Sequence, residues 1–438
     1  MINFLIILLL FVLFVKIFLF WLWLWQIKEY RLDRIRAHFD RQIIRKFLSS
    51  FWRIKYPKFT KKISLIFLTG IILALVWLFK LPIFYWAFVL IIFTPLFSFL
   101  LILLFQIPTL IWRNYILEKA KIKRKKFKDL LVIGITGSYG KTSTKEFLAT
   151  ILSEKFKVLK TKENQNTEIG ISQLILKELN SKYEIFICEM GAYKKGEIAL
   201  ICDIIKPKIG IITGVNEQHL ALFGSIENLL SAEGGKELIE SLPQAEGMVF
   251  LNGKDKFCRE IYQEIKIKKY FYGEKAGLLL ENIEGARAVA KELMTEEETE
   301  EAITKIKDPY PGIKIQKGIN NVDIINATYS TNPTAIMAHL DYLENWTTGK
   351  KIIIMPCLIE LGSAAEKIHQ EIGKRINQIC DLAIITTKDY FPEIQQGAPN
   401  ALLIENPKEV FEKIKSFVKI GNIILLEGRS SFTINYLL

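Results

Sequence analysis

Residues 134–144 read GITGSYGKTST, and they follow an apolar run, Leu130 to Ile135, that ends where the glycines begin. A short apolar run bounded by glycines is a candidate strand, and Lys141 opens a helical stretch. A glycine-rich loop between strand and helix points backbone N–H groups and a helix N-terminus at phosphate oxygens. In such a loop Lys141 reaches the β/γ phosphates of ATP and the Thr142 hydroxyl can hold Mg2+. The candidate nucleotide-binding residues are therefore Gly137, Ser138, Tyr139, Gly140, Lys141, Thr142 and Ser143. The general P-loop spacing is not met, because Ile135 stands where the first glycine belongs and Gly134 is one residue early.

Downstream of this loop, strands and helices alternate. Candidate strands are 130–136, 157–162, 183–190, 209–214 and 247–252, with helices beginning near Lys141, Glu168, Gly196 and Ile226. That alternation predicts a parallel sheet with helices on both faces. A second run has candidate strands 322–327, 351–357, 382–387, 401–404 and 422–427, with helices after Pro333, Ser363 and Pro407. It predicts a Rossmann-like second α/β domain. The segment DPYPG (308–312) punctuates the boundary.

The 438 residues divide unevenly in polarity. Residues 2–25 hold only Asn3 and Lys16 as strongly polar positions, and residues 63–79 and 81–105 hold no charge. Each run is long enough, or nearly so, to cross a hydrocarbon core as a helix. A signal peptide fits the first poorly, since no basic segment precedes it and no small-residue cleavage site follows. The reading is three transmembrane helices. Residues 28–62 carry a net charge of +9 and residues 119–128 one of +7, against +13 for the whole chain. The basic excess thus flanks the apolar runs and indicates a membrane surface, not nucleic acid. Basic flanks stay cytoplasmic, so the expectation is a multi-pass protein of the inner membrane whose soluble part faces the cytosol. Residues 28–62 are either a solvated linker or an interfacial helix, with Phe51 and Trp52 near anionic headgroups. The five cysteines show no CxxC spacing and read as reduced thiols.

Five further segments resemble the Mur ligases of cell-wall synthesis, in that family's order. The shorter loop 137–142 is similar to the family's GTNGKT. ENQNTEIG (163–170) resembles GNxNNxIG, and CEMGAYKKGEI (188–198) resembles EMG…GEI. ITGVNEQHLALFGS (212–225) resembles ITNxGxAHLExFGS. NATYSTNP (326–333) resembles DDSYNANP, and LIELG (358–362) resembles MLELG. The resemblance runs from about residue 130 to the C-terminus and is greatest to the D-alanyl-D-alanine-adding branch.

The resemblance implies an α/β fold with a P-loop Mur-ligase central domain (129–313) and a Rossmann-like C-terminal domain (314–438). The anchor, 1–128, stands in place of the family's domain for a UDP-sugar nucleotide. It implies transfer of the ATP γ-phosphoryl to a carboxylate and attack of an amine on the acyl phosphate, with Mg2+ neutralising charge. Glu189 and His219 then match metal ligands beside Thr142, Asn282 matches an adenine contact, and Asn164 and Asn166 lie in the substrate-positioning loop. A solvated strand end, a structural histidine and turn-forming asparagines are the plain alternatives. Several positions depart from the pattern: Asn326 and Ala327 replace paired aspartates, Gly312-Ile313 replaces Gly-Arg, and EGRS with Glu427 replaces a KGSR-like end.

The family also carries a carbamylated lysine on the helix after its FGS segment. Here that helix reads SIENLLSAEGGKELIESLP, and a two-residue insertion around Gly234-Gly235 leaves two candidates, Glu233 and Lys236. A glutamate could supply a carbamate's charge without CO2. The sequence thus reads as a membrane-anchored ATP-dependent amide ligase. Its partners would be the lipid bilayer, a peptide or amino-acid acceptor, and an acyl substrate that is soluble or lipid-linked. A polyglutamate-type membrane ligase and a non-catalytic nucleotide-binding scaffold are the alternatives.

Overall fold

The computed structural model describes all residues except 1, 29, 33, 36–42, 79–82, 163–164, 275–279, 307–313, 329–330, 429–436 and 438. Asn164, the DPYPG boundary, Gly312, Ile313 and the residues after Gly428 up to 436 therefore lie outside the described residues. The chain forms two compact units, Met1–Tyr115 and Ile116–Leu438.

In the first unit, Phe14, Phe18, Leu22, Ile63, Ile66 and Leu101 form a closed apolar core between helices Ile2–Ile27, Lys61–Leu78 and Ile83–Lys125. A Cβ at Gly70 would lie 2.5 Å from the Phe18 ring, so glycine lets these helices approach. Helix Ile43–Trp52 runs back along the first helix: Phe47 meets Trp21 at 6.0 Å, and the Lys16 ammonium donates to the Phe51 carbonyl. That carbonyl lies in a last turn, where the helix leaves acceptors unpaired. Part of the basic segment 28–62 is thus packed rather than an open linker.

Among the described residues, two helices are long and apolar enough to cross a membrane by length and composition, Leu8–Ile27 and Ile92–Lys125. The sequence reading expects three spans. Its second run forms helix Lys61–Leu78, and its third does not stop at 105 but continues as helix to Lys125. Loss of hydrophobicity ends an apolar run, yet nothing in LEKAKIKRK ends a helix.

Among its described residues, the second unit holds two six-stranded sheets. The first comprises β1 (Leu131–Thr136), β2 (Val158–Lys160), β3 (Ile185–Glu189), β4 (Ile209–Ile212), β5 (Met248–Asn252) and β6 (Lys268–Tyr272), in the order β2-β3-β1-β4-β5-β6. All neighbours are parallel. Its strands are nearly continuous apolar runs because helices cover both faces. From β1 the chain crosses towards β2, and from β4 towards β5. The loops after β1 and β4 therefore flank the point where the winding reverses, which is where ligands sit in such sheets.

The second sheet comprises β7 (Lys314–Lys317), β8 (Asp323–Ala327), β9 (Lys351–Met355), β10 (Leu382–Ile385), β11 (Leu402–Leu403) and β12 (Ile423–Glu427), in the order β11-β10-β9-β12-β8-β7. Only β7 is antiparallel, to β8. Strands β6 and β7 are absent from the sequence expectation. KKYFY and KIQK are short and lysine-rich, and both are edge strands.

Candidate active site

The loop after β1 is shaped by two glycines. Gly137 has φ +143 and Gly140 φ +73, and a Cβ at these positions would lie 2.1 Å from Thr213 Oγ1 and 2.3 Å from Asn282 Oδ1. Side chains are excluded at both places, so the loop backbone stays bare, as a phosphate cradle requires. Helix Lys141–Leu152 begins directly after it, with Ser143 in its first turn. The Lys141 ammonium donates to the Gly137 carbonyl, folding over the loop.

Glu189 ends β3 and is 6% exposed. The Thr142 hydroxyl lies 3.1 Å from each of its carboxylate oxygens. Lys145 Nζ is 3.0 Å from Oε2, and Asn166 Nδ2 donates to Oε1 at 3.3 Å. Lys145 is fully buried and supplies the countercharge that makes a buried carboxylate tolerable. It belongs to no motif; its only signal is its place four residues after Lys141, on the same helix face.

A second cluster forms beside the first. Glu233 is 1% exposed; its Oε2 accepts from Ser138 Oγ at 2.6 Å, and its Oε1 is 2.9 Å from His219 Nδ1. Burial pushes this carboxyl up, but His219, Lys141 and the Ser138 hydroxyl together pull it below its ordinary value. Lys236 is not brought to the cluster. Its Nζ lies 3.5 Å from Glu264 and its side chain is 42% exposed. The reason is Gly235, whose φ of 85° separates helix Ile226–Ala232 from helix Lys236–Ser241. Glu233 precedes the break and faces the loop, while Lys236 follows it.

On the other side of His219, Tyr193 meets the ring edge-on at 5.1 Å and Glu360 Oε2 lies 3.9 Å from Nε2. Asn282, in helix Glu281–Ala290, accepts from Thr144 Oγ1 at 3.3 Å and abuts Gly140. Tyr139 donates to Asp255 at 3.3 Å, and burial drives its phenol far above the ordinary range.

At the carboxyl edge of the second sheet, Asn326 Oδ1 accepts from the backbone N–H and hydroxyl of Thr328 at 3.2 and 2.7 Å. Glu427 is fully buried, 2.5 Å from His339 Nδ1, and burial raises its carboxyl above the ordinary value despite that partner. Two of the departures from the family pattern are thus absorbed by local hydrogen bonds.

A glycine-shaped loop at the reversal of a parallel sheet, with a threonine hydroxyl held on a strand-end carboxylate, defines a phosphate-binding α/β domain joined to a second α/β sheet. Residues 135–316 match the Mur ligase middle domain and residues 313–430 the Mur ligase glutamate ligase domain, and over this stretch the chain belongs to the Mur ligase family. It is similar to the UDP-N-acetylmuramoyl-tripeptide–D-alanyl-D-alanine ligase of Synechocystis sp., 30% identical over 274 residues that make up 57% of this chain and 60% of the relative. The Bacillus subtilis ligase of the same name is 26% identical, covering 64% of this chain and 66% of its own. The chain thus spans about three-fifths to two-thirds of these relatives' length. Over 73% of this chain the fold is similar to that of MurF from Acinetobacter baumannii, with a TM-score of 0.65 at 23% identity and 78% of that chain covered. MurF ligase from Thermotoga maritima in complex with ADP gives 0.63 at 23% identity, over 74% and 82%.

Proposed function

We propose that the chain is an ATP-dependent, amide-forming ligase of peptidoglycan precursor synthesis, attached to a membrane by its N-terminal unit. The observation that carries this reading is the Thr142 hydroxyl held 3.1 Å from both Glu189 oxygens, one residue after the loop lysine. The residues fit the groups the reaction needs. A Cβ at Gly137 or Gly140 would run into Thr213 or Asn282, so the loop backbone stays bare towards a phosphate. A hydroxyl and a carboxylate are hard oxygen donors, and Mg2+ prefers one or two of these plus phosphates and waters to an all-protein cage. Thr142 and Glu189 would hold one Mg2+, and His219 with Glu233 a second.

ATP, when bound, supplies the phosphoryl group that activates a carboxylate towards an amine. Lys141, turned from the Gly137 carbonyl, and the loop N–H groups then place positive charge against the phosphates. Lys145 orients the Glu189 carboxylate through its 3.0 Å contact. Glu233 has the place and charge expected of the family's carbamate, so that no CO2 adduct is required. Among the described residues, Gln218 Oε1 and Thr331 Oγ1 are buried with no hydrogen-bond partner, close in sequence to the bonded pair Asn216 and Asn332. Open acceptors of this kind suit the N–H groups of an amino-acid or peptide substrate.

The test is ADP release by the purified chain, with D-alanyl-D-alanine as amine acceptor and muramoyl-peptide acyl substrates offered in UDP-linked and lipid-linked forms. Acceptor-dependent release that Lys141→Ala abolishes supports the ligase; nucleotide binding without release under any acceptor supports a scaffold. The scaffold reading draws on Asn326 and Glu427, where the family pattern has other residues and local bonds occupy the groups. Attachment is supported by the apolar helices Leu8–Ile27 and Ile92–Lys125 and by the basic flanks. Retention in membranes after alkaline carbonate washing tests it, and release into the supernatant overturns it.

A further inference from the structure

Asn216 follows β4 and is 5% exposed. Its carbonyl accepts from Ser138 Oγ at 3.3 Å and its Oδ1 from the backbone N–H of Gln218 at 3.1 Å. Its Nδ2 crosses to the other sheet's side, 3.0 Å from Asn332 Oδ1 and 3.0 Å from Thr334 Oγ1. Asn332 in turn caps helix Pro333–Glu344, accepting from Ala335 N–H at 2.9 Å. One buried amide therefore ties the phosphate loop to the first helix of the C-terminal half. A second tie lies nearby. The Glu360 carbonyl accepts from Ala221 N–H at 3.0 Å, with Glu360 held at φ +70. A left-handed backbone at a non-glycine residue persists only where its surroundings fix it.

Three departures from the resembled pattern explain how this tie arises. This chain reads ITGVN where the pattern has ITNxG, and Tyr139 stands where GTNGKT has asparagine. A Cβ at Gly214 would lie 2.1 Å from the Tyr139 hydroxyl oxygen, so Tyr139 in the loop excludes a side chain at 214. The Tyr139 hydroxyl and the Val215 N–H both donate to Asp255 Oδ2, at 3.3 and 2.9 Å, which fixes the turn. The asparagine two residues later then projects across to Asn332, a reach that a glycine lacks.

We propose that Asn216 is a positioning residue that latches the C-terminal half to the phosphate loop, so that Ser138 and Asn332 move as one piece. The proposal rests on the ligase reading, in which an activated carboxylate at the loop must meet an amine held by the other half. A net intramolecular hydrogen bond shifts an open–closed ratio by roughly three- to tenfold.

The test uses the full chain in detergent, with spin labels at the exposed positions Glu297→Cys and Lys374→Cys, and four of the five native cysteines are buried. Asn216→Gly should lengthen and broaden the label-to-label distance distribution, and Thr334→Val should do so less. The double variant should add nothing to Asn216→Gly, because Thr334 acts through it. ADP affinity should stay within about twofold while kcat/KM for ligation falls roughly three- to tenfold. An unchanged distance distribution in Asn216→Gly overturns the latch. Should that variant not fold, Thr334→Val with an unchanged distribution does the same. Lys141→Ala separates the two readings: acceptor-dependent ADP release that survives it defeats the ligase assignment but leaves the distance result standing.

Discussion

The Oε1 atom of Glu233 lies 2.9 Å from Nδ1 of His219, although the two are fourteen positions apart with two short helices between them. The pair sits beneath the phosphate loop, joined to it through Ser138. Each of its neighbours can be removed in turn.

Glu233→Ala should reduce acceptor-dependent ADP release by about a hundredfold or more, since a buried charge is lost from beside developing phosphate charge. Lys236→Ala should leave it within about twofold, because a half-exposed ion pair contributes little. Assays in CO2-depleted buffer should match those with added bicarbonate. A bicarbonate requirement with an active Glu233→Ala variant would reverse the assignment.

The two buried glutamates should respond to pH with opposite signs. Glu233 titrates below its ordinary value of 4.5, so its ionised form adds stability above that pH and the contribution is lost as pH falls through the folded value. Glu233→Gln should therefore cost most near neutrality and progressively less under acid. Glu427 titrates above 4.5, chiefly through burial, so its contribution is complete at low pH and is lost as pH rises through the folded value. Glu427→Gln should raise stability near pH 7 relative to the parent and lose that advantage below pH 4.5. Urea unfolding at pH 7 and pH 4 reads both.

Gly235→Ala should lower stability by about 1–3 kcal/mol. The position has φ +85, and a Cβ would lie 2.3 Å from Ile212 Cδ1 in β4. Thermal unfolding checks the loss. An unaffected midpoint would mean that the break between the two helices is not what orients Glu233.

Gly214→Ala should be severely destabilising alone, and part of the loss should be recovered in the Tyr139→Asn background. The hydroxyl at 2.1 Å is removed there, while the strain of φ +132 remains. Equal losses in both backgrounds would refute the coupling between loop and turn.

What the sequence made legible was local. The loop glycines, Lys141 and Thr142 act through backbone geometry within eight residues, and a strand-end glutamate is placed by strand length alone. The choice between Glu233 and Lys236 stayed open because it turns on one left-handed glycine, and glycine in a helical pattern signals a break without giving its direction. Lys145, Glu360, His339 and Asn216 act across 44 to 141 residues of chain, through contacts that no spacing rule carries. The edge strands β6 and β7 escaped because edge positions relax the apolar pattern by which central strands are recognised. The helix ending at Lys125 outran its apolar run for a complementary reason: loss of hydrophobicity does not by itself stop a helix.

Strand β7 has a bearing on how the molecule can be dissected. It runs antiparallel along β8 and faces outward with Lys314 and Lys317, charged residues of the kind that discourage strand addition at an open border. The other border, β11, is only two residues long and offers little to a foreign strand. A fragment begun at Val322 would bare all of β8 to self-association, whereas one begun at Lys314 would keep its own guard. The short segment that follows the junction of the two halves thereby doubles as protection against fibre-like stacking.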